Sequence, residues 1–165
     1  MKRNLQIKSQ RIKEQAYKSL VRPIVEYASC VWDPHTKVMT NKIEMVQRRA
    51  ARYVTGKYQQ TESVRDLLRG LKWTTLETRR QKARLIMMFK VKHNMAAIPR
   101  QDLRQPIRSS RAVHSHSFVP MATSKNYRKF SFFPRTIKDW NSLPEEITAA
   151  PTLESFKRLL DFYFL

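Results

Sequence analysis

The chain has 165 residues, about one domain, and 41% of them are hydrophobic, which is enough to bury a real core. Thirty-three Lys and Arg residues against 13 Asp and Glu residues give a net charge of +20, so a polyanionic partner is expected, with nucleic acid favoured over an anionic membrane surface. The chain has only two glycines, which argues against glycine-rich phosphate loops. Its single cysteine excludes an intrachain disulfide and indicates a reducing, intracellular compartment. No apolar run approaches the length of a membrane span.

The first part of the chain is predicted to be helical. A first helix covers residues 8–32, with a bend at Pro23, because proline removes a hydrogen bond from a helix interior. Its apolar residues recur three or four positions apart on one helical face: Ile12, Ala16, Leu20, Ile24, Tyr27 and Val31. A second helix covers residues 37–55 and ends at Gly56. Its predicted buried stripe consists of Met39, Ile43, Val46, Ala50 and Tyr53.

Two more helices complete a predicted helical region over residues 1–98. A short one, "SVRDLLRG", is closed by Gly70. The longest begins near Thr74, which has capping-box spacing to Glu77, and runs to Pro99. Its central "LIMMF" is apolar nearly all round, which predicts burial between other elements.

The composition changes after this region. Residues 99–117 are basic and Ser-rich without an apolar period and are predicted to form a linker. Residues 118–165 are predicted to form a small aromatic-rich subdomain, with short strands at "FVP" and "YRKFSFF", a helix after Pro134 and a last helix capped by Thr152. Its large aromatic residues are interpreted mainly as core rather than as base-stacking groups: Tyr127, Phe130, Phe132, Phe133 and Trp140. The predicted fold class is therefore mainly α.

No pattern predicts a catalytic centre, a cofactor or a metal site. Two-metal polymerases and nucleases need clustered carboxylates, whereas the Asp residues are isolated and the only adjacent acidic pair, Glu145 and Glu146, suits a helix N-terminus. Cys30 and the four His residues do not complete a zinc ligand set, and His114 and His116 are interpreted as surface residues. No small-molecule substrate is predicted.

Basic clusters are the positive functional signal. Two lie on predicted helices: Arg48, Arg49, Arg52 and Lys57, then Arg79, Arg80, Lys82 and Arg84. Two lie further along: Arg100, Arg104, Arg108 and Arg111, then Lys125, Arg128, Lys129 and Arg135. For the helical clusters, contact with a phosphate backbone is favoured over a solvated helix face; for the linker cluster the two interpretations are equally weighted. No pattern predicts base-specific readout.

Four segments carry a family resemblance: "AYKSLVRPIVEYASCVWDPH", "IEMVQRRAARYVTGKY", "LKWTTLETRRQKARLIMMFKVKHN" and "YRKFSFFPRTIKDWNSLPEEI". In this order they resemble the C-terminal region of non-LTR (LINE-type, jockey-like) retrotransposon reverse transcriptases. The resemblance runs from about residue 4 to the end and implies a thumb and the segment that follows it. It implies sequence-independent binding of a template–primer duplex or RNA–DNA hybrid, with an upstream palm and fingers as partners. It implies backbone contacts from Arg48, Arg49, Arg52, Arg79, Arg80 and Lys82.

The chain also departs from this family. It lacks the paired Asp motif of the palm, the N-terminal endonuclease and a C-terminal Cys knuckle. A non-catalytic fragment is therefore expected, either a truncated copy, a gene-model fragment or a domesticated piece, in the nucleus or cytoplasm. The alternative is a protein-interaction or domesticated fragment with no nucleic-acid role, in which the exposed apolar face of "LVRPIVEYASCVW" docks on another protein or on a second copy of the chain. A metal-dependent nuclease is disfavoured by the missing acidic cluster.

Overall fold

The computed structural model describes residues 8–59, 61–99, 103–106 and 114–164, and the regular structure of these residues is helical throughout. The helices are α1 (Gln10–Ala16), α2 (Arg22–Glu26), α3 (Ser29–Trp32), α4 (Lys37–Thr55), α5 (Val64–Gly70), α6 (Leu76–Lys92), α7 (Asn126–Lys129), α8 (Phe132–Asn141), α9 (Glu145–Thr148) and α10 (Leu153–Tyr163), with a π-helical turn (Tyr17–Val21) between α1 and α2. The predicted mainly α fold class is confirmed. The predicted short strands are wrong, because "FVP" has no regular structure and "YRKFSFF" lies in α7 and the start of α8.

Internal contacts divide the chain into two compact units, Met1–Arg80 and Gln81–Leu165. The division falls inside α6 and differs from the predicted boundaries at residues 98 and 117. The reason is the "LIMMF" segment, whose Leu85, Met88 and Phe89 belong to the core of the second unit. Most of the predicted linker lies outside the described residues.

The predicted first helix is interrupted twice. The π-helical turn lies immediately before α2, where Pro23 lacks the N–H that an α-helical ladder needs. The second break follows Glu26, and Ala28 there has a left-handed backbone with φ of 48°. The apolar face predicted for this segment is solvent-exposed, with exposed fractions of 58% for Leu20, 75% for Ile24, 80% for Tyr27 and 87% for Val31.

Helix α4 has the bounds predicted from the sequence, and Gly56 ends it with φ of 73°. Its buried face is displaced by one residue from the predicted stripe and consists of Thr40, Glu44, Gln47, Ala51 and Val54. Two of these polar side chains position the start of α6. The Gln47 Nε2 donates to the Thr74 carbonyl at 2.8 Å, and the Glu44 carboxylate accepts from the Glu77 N–H at 2.7 Å.

The N-terminal end of α6 is capped one residue later than predicted. The Thr78 N–H donates to Thr75 Oγ1 at 3.1 Å, so Thr75 takes the capping position predicted for Thr74. The capping box predicted for Thr74 and Glu77 is therefore wrong, since the Glu77 N–H is bonded to Glu44 instead. At its other end α6 stops at Lys92 rather than continuing to Pro99, and Asn94 follows with a left-handed φ of 57°.

The core of the first unit is small and centred on two aromatic residues. Its buried members are Tyr17, Ala51, Val54, Leu67 and Trp73. The rings of Tyr17 and Trp73 stack with centroids 4.6 Å apart. Each ring also has a polar partner: the Tyr17 hydroxyl donates to Gln47 at 3.2 Å, and the Trp73 indole N–H donates to Glu14 at 3.1 Å. Burial raises the pKa of Tyr17 to about 12.

The second unit has a larger core, in which Trp140 is fully buried. Its other buried members are Leu85, Met88, Phe89, Phe118, Ile137, Leu143, Ile147, Ala150, Phe156 and Leu160. The interpretation of the aromatic residues as core is confirmed for Trp140. Phe133 is partly buried and packs against this core. It is wrong for Tyr127, whose side chain is 78% exposed. Thr152 caps α10 as predicted, through a capping box with Ser155.

Candidate nucleic-acid interface

The solvent face of α4 carries the first predicted basic cluster. Arg48 and Arg49 are exposed, and Arg52, one turn beyond Arg48, is half-buried. Lys37 and Lys42 are exposed on the same helix. Lys37, Lys42, Arg48, Arg49 and Arg52 form no ion pair with the described residues. We call these five residues the α4 basic face.

The amphipathic pattern of α4 explains this arrangement. The helix turns its buried side toward the core of the first unit, so its cations lie on the remaining faces. The only acidic residue between residues 34 and 61 is Glu44, which is buried and bonded to the Glu77 N–H. The α4 basic face therefore has no carboxylate of its own helix to neutralise it. From Lys37 to Arg52 it extends for about 22 Å along the helix axis.

Lys57, the last member of the first cluster, lies beyond the end of α4. Its amine pairs with the Glu62 carboxylate at 3.3 Å, and both side chains are about one-third exposed or more. An exposed pair of this kind is weak, so Lys57 remains accessible to an external anion.

The second predicted cluster differs because each of its cations pairs with a carboxylate of its own unit. In the first unit, Arg79 forms a bidentate pair with Glu26, and its Nη2 lies 3.0 Å from Glu26 Oε2. Arg80 pairs through Nε with Asp33 at 2.6 Å. In the second unit the pairs are Lys82–Asp161 at 2.8 Å and Arg84–Asp139 at 2.7 Å.

Arg80 and Arg84 are enclosed as well as paired. The Arg80 side chain is fully buried and the Arg84 side chain is 4% exposed. Burial lowers the pKa of Arg80 because it disfavours the charged guanidinium, while Glu44, Glu77 and Glu26 act in the opposite direction. Their burial does not fit the predicted contact with a phosphate backbone. The structure gives both residues an internal role, so the candidate interface is corrected by leaving them out.

Lys82 and Arg79 lie between these extremes. The Lys82 side chain is only 14% exposed, and its amine lies 5.5 Å above the Phe164 ring. Its partner Asp161 is 72% exposed, so the pair lies at the edge of the second unit. The Arg79 side chain is 33% exposed and faces Glu26. Both side chains are partly committed to their carboxylates, which leaves the α4 basic face as the strongest candidate.

Among the acidic and histidine candidates, Glu145 and His116 have hydrogen-bond partners within the second unit. Glu145 and Glu146 lie in the first turn of α9, as predicted, and Ser115 Oγ donates to Glu145 at 2.6 Å. The His116 carbonyl accepts from the Trp140 indole N–H at 3.0 Å, and burial lowers the pKa of the His116 imidazole. Within residues 8–59, 61–99, 103–106 and 114–164, no group of three His, Cys, Asp or Glu residues is arranged to hold a metal ion.

No family model, curated protein or solved structure matches this chain. No helix in the described part of the chain is long and apolar enough to cross a membrane.

Sequence reasoning missed one large feature of the charge distribution. Residues 103–138 contain no Asp or Glu. They carry eight cations, namely Arg104, Arg108, Arg111, Lys125, Arg128, Lys129, Arg135 and Lys138. Grouping the basic residues into clusters does not reveal this excess of positive charge, because it ignores the long interval that contains no acidic residue.

Proposed function

We propose that the chain is a non-catalytic, nucleic-acid-binding segment, and that it corresponds to the thumb and following region of a LINE-type retrotransposon reverse transcriptase. The observation that carries the binding proposal is the α4 basic face, a helix surface of five cations without a neighbouring exposed carboxylate on the same helix. The family assignment is supported by the four sequence segments that resemble those enzymes.

The chemistry of this face suits a phosphate backbone rather than base edges. Phosphates along a duplex lie about 1.7 Å apart on the axis when both strands are counted, so a basic helix about 22 Å long meets several of them. Lys and Arg contacts to phosphates fix register without reading sequence. A duplex or RNA–DNA hybrid is therefore bound with little sequence preference and with strong salt dependence.

The test compares two double variants that each remove two neighbouring positive charges from an exposed helix face. Arg48→Gln/Arg49→Gln alters the α4 basic face, and Lys157→Gln/Arg158→Gln makes the matched change on α10. Binding of the full chain to a labelled RNA–DNA hybrid and to a DNA duplex is measured by fluorescence anisotropy over a salt series. If both arginines contact phosphates, the slope of log K against log salt becomes shallower by about 1.8 in the α4 variant.

The control variant keeps nearly the slope of the unaltered chain, because its charges act only at long range. Equal losses in the two variants would mean that net charge alone attracts the nucleic acid, and this would contradict the α4 assignment. Undetectable binding by the unaltered chain at low salt would contradict nucleic-acid binding altogether. Circular dichroism establishes that all variants remain folded.

The exposed apolar residues of the N-terminal segment favour a second candidate function, protein interaction. Leu20, Ile24, Tyr27 and Val31 recur along this segment and are each more than half exposed. Side chains of this kind often mark a protein contact. The proposed occupant is the upstream palm of the parent polymerase. A monodisperse chain that binds no hydrophobic dye would argue against this function. If the chain does bind the dye, a fluorescence that Ile24→Ser/Val31→Ser leaves unchanged would also argue against it.

A further inference from the structure

The second unit contains a small open pocket with two arginines on its wall. Its volume is about 270 Å³, and its lining residues are Arg104, Val119, Pro120, Met121, Ala122 and Arg128. A backbone hydrogen bond from the Val119 N–H to the Arg104 carbonyl, at 2.8 Å, holds the two wall segments together. Arg128 reaches the pocket from α7. The pocket lies entirely within the second unit.

The two guanidinium groups are available to an external anion. Arg104 and Arg128 are both exposed, and neither forms an ion pair with the described residues. Residues 103–138 contain neither Asp nor Glu, and the nearest acidic residues in the sequence are Asp102, outside the described residues, and Asp139, which pairs with Arg84. Two arginines that have no carboxylate partner among the described residues supply the positive charge that attracts a phosphate group, and a guanidinium can donate two parallel hydrogen bonds to phosphate oxygens.

The rest of the pocket suits a flat apolar ring. Val119, Pro120 and Met121 add apolar residues to a lining that also contains the two arginines. Tyr127, next to Arg128 on α7, has its ring 78% exposed. An exposed aromatic ring beside basic residues is the arrangement that stacks on bases of single-stranded nucleic acid. Tyr127 is also among the most exposed large hydrophobic residues of the chain, so packing does not account for it.

We propose that this pocket binds single-stranded nucleic acid: Arg104 and Arg128 hold one phosphate, the Val119–Met121 wall receives a base, and Tyr127 stacks on the neighbouring base. The volume admits little more than one nucleotide unit, because pockets for drug-sized ligands begin near about 300 Å³. A base can enter only when it is not paired, which favours a single strand over a duplex. This inference deepens the proposed function and rests on it, in that both require nucleic acid as the partner.

The experiment uses the full chain with an oligouridylate of about 12 nucleotides, and with a DNA duplex of matched length. Arg104→Gln/Arg128→Gln is expected to weaken oligouridylate binding about tenfold or more. Its salt slope should become shallower by about 0.7, because the two arginines are proposed to hold one phosphate. Tyr127→Ala is expected to weaken it about tenfold without changing the salt slope, because stacking releases no counterions. Duplex binding should change little in either variant.

Two further variants separate this inference from the proposed function. Lys157→Gln/Arg158→Gln removes the same charge from exposed positions of the same unit and should leave oligouridylate affinity within about threefold. Arg48→Gln/Arg49→Gln should weaken duplex binding more than oligouridylate binding. The pocket proposal is overturned if Arg104→Gln/Arg128→Gln binds oligouridylate as tightly as the control variant does. It is also overturned if this variant loses equal affinity for the duplex and for the single strand. The α4 assignment stands in both cases. If Arg48→Gln/Arg49→Gln retains the duplex affinity of the control variant, while Arg104→Gln/Arg128→Gln loses oligouridylate affinity, the proposed duplex interface fails and the pocket proposal stands.

The chemical class of the strand is resolved by the same assay. An oligodeoxythymidylate of the same length tests whether the ribose 2′-hydroxyl contributes. Equal affinity for the two strands is expected, because the proposed contacts use phosphate and base faces. Binding of inorganic phosphate to the pocket with no gain in affinity for the oligonucleotides would show a simple anion site and would overturn the nucleic-acid assignment.

Discussion

Replacing Asp33 by asparagine tests whether Arg80 is an internal structural residue rather than a phosphate ligand. Arg80 and Asp33 have exposed fractions of 0% and 5%, and their Nε and Oδ1 atoms lie 2.6 Å apart. The guanidinium is therefore almost entirely shielded from water. Removing one partner of a buried pair costs about 3–5 kcal/mol, because the other charge is left without compensation. Since the introduced side-chain amide retains an acceptor oxygen, the lower end, about 3 kcal/mol, is expected.

The assay is chemical and thermal unfolding of the full chain, followed by circular dichroism. A loss of about 3 kcal/mol is a large part of the roughly 5–15 kcal/mol that stabilises a typical domain. It corresponds to a fall in the melting temperature on the order of 15 °C for a unit of this size. The double variant Asp33→Asn/Arg80→Met removes both charges and should recover most of the lost stability, because methionine fills space without needing a partner.

The reasoning is refuted if Asp33→Asn costs less than about 1 kcal/mol. It is refuted equally if the double variant, folded at low temperature, loses as much duplex affinity as Arg48→Gln/Arg49→Gln, since Arg80 would then act at the interface. Retained affinity in the double variant, together with loss in the α4 variant, would locate binding on the exposed cations.

Two further predictions concern the second unit. Trp140→Ala should lower the free energy of unfolding by about 3–5 kcal/mol, measured by denaturant titration, because the fully buried indole packs against Phe118 and Phe156; a loss below about 1 kcal/mol would contradict this packing. His116→Asn should flatten the dependence of stability on pH below about 6.5. Burial lowers the pKa of His116, so the unfolded chain binds more protons there and stability falls as the pH drops from 6.5 through the folded pKa; an unchanged pH profile would exclude His116 as the source.

Helices with clear ends and strong periodicity could be predicted from the sequence. Helix α4 has the predicted bounds because Gly56 supplies the left-handed residue that ends it. Helix α10 begins immediately after Thr152 because the threonine hydroxyl accepts a hydrogen bond from the Ser155 N–H. Both signals are local and depend on the chemistry of one or two residues. The placement of Trp140 in the core follows from its size and from its apolar neighbours.

The buried faces were harder to predict, because they depend on contacts distant in sequence. On α4, Glu44 and Gln47 are buried since they satisfy backbone groups at the start of α6, 33 and 27 positions further on. A hydrophobicity pattern assigns such polar residues to the solvent side and so selects the neighbouring stripe. In the N-terminal segment the apolar periodicity is real, yet Ile24 and Val31 remain exposed within the described residues.

The candidate site was predictable in composition but not in detail. Arg48 and Arg49 are exposed, as a binding role needs, whereas Arg80 and Arg84 carry the same charge and are enclosed. The two sets differ in a property that only the fold reveals, the proximity of a carboxylate. Asp33 lies 47 positions from Arg80, and Asp139 lies 55 positions from Arg84. No local pattern links residues so far apart.

The distribution of acids, more than that of bases, indicates where the excess positive charge acts. Four carboxylates from distant parts of the sequence form ion pairs with basic residues of α6. They belong to Glu26, Asp33, Asp139 and Asp161. These four acids pair with cations of α6, in a chain that has only 13 acidic residues. The α4 basic face and residues 103–138 are left largely without them. A net charge of +20 spread evenly would act mainly by raising solubility. Concentrated where carboxylates are missing, as at the exposed Arg48 and Arg49, the same charge would give the local potential that the proposed binding of a polyanion requires.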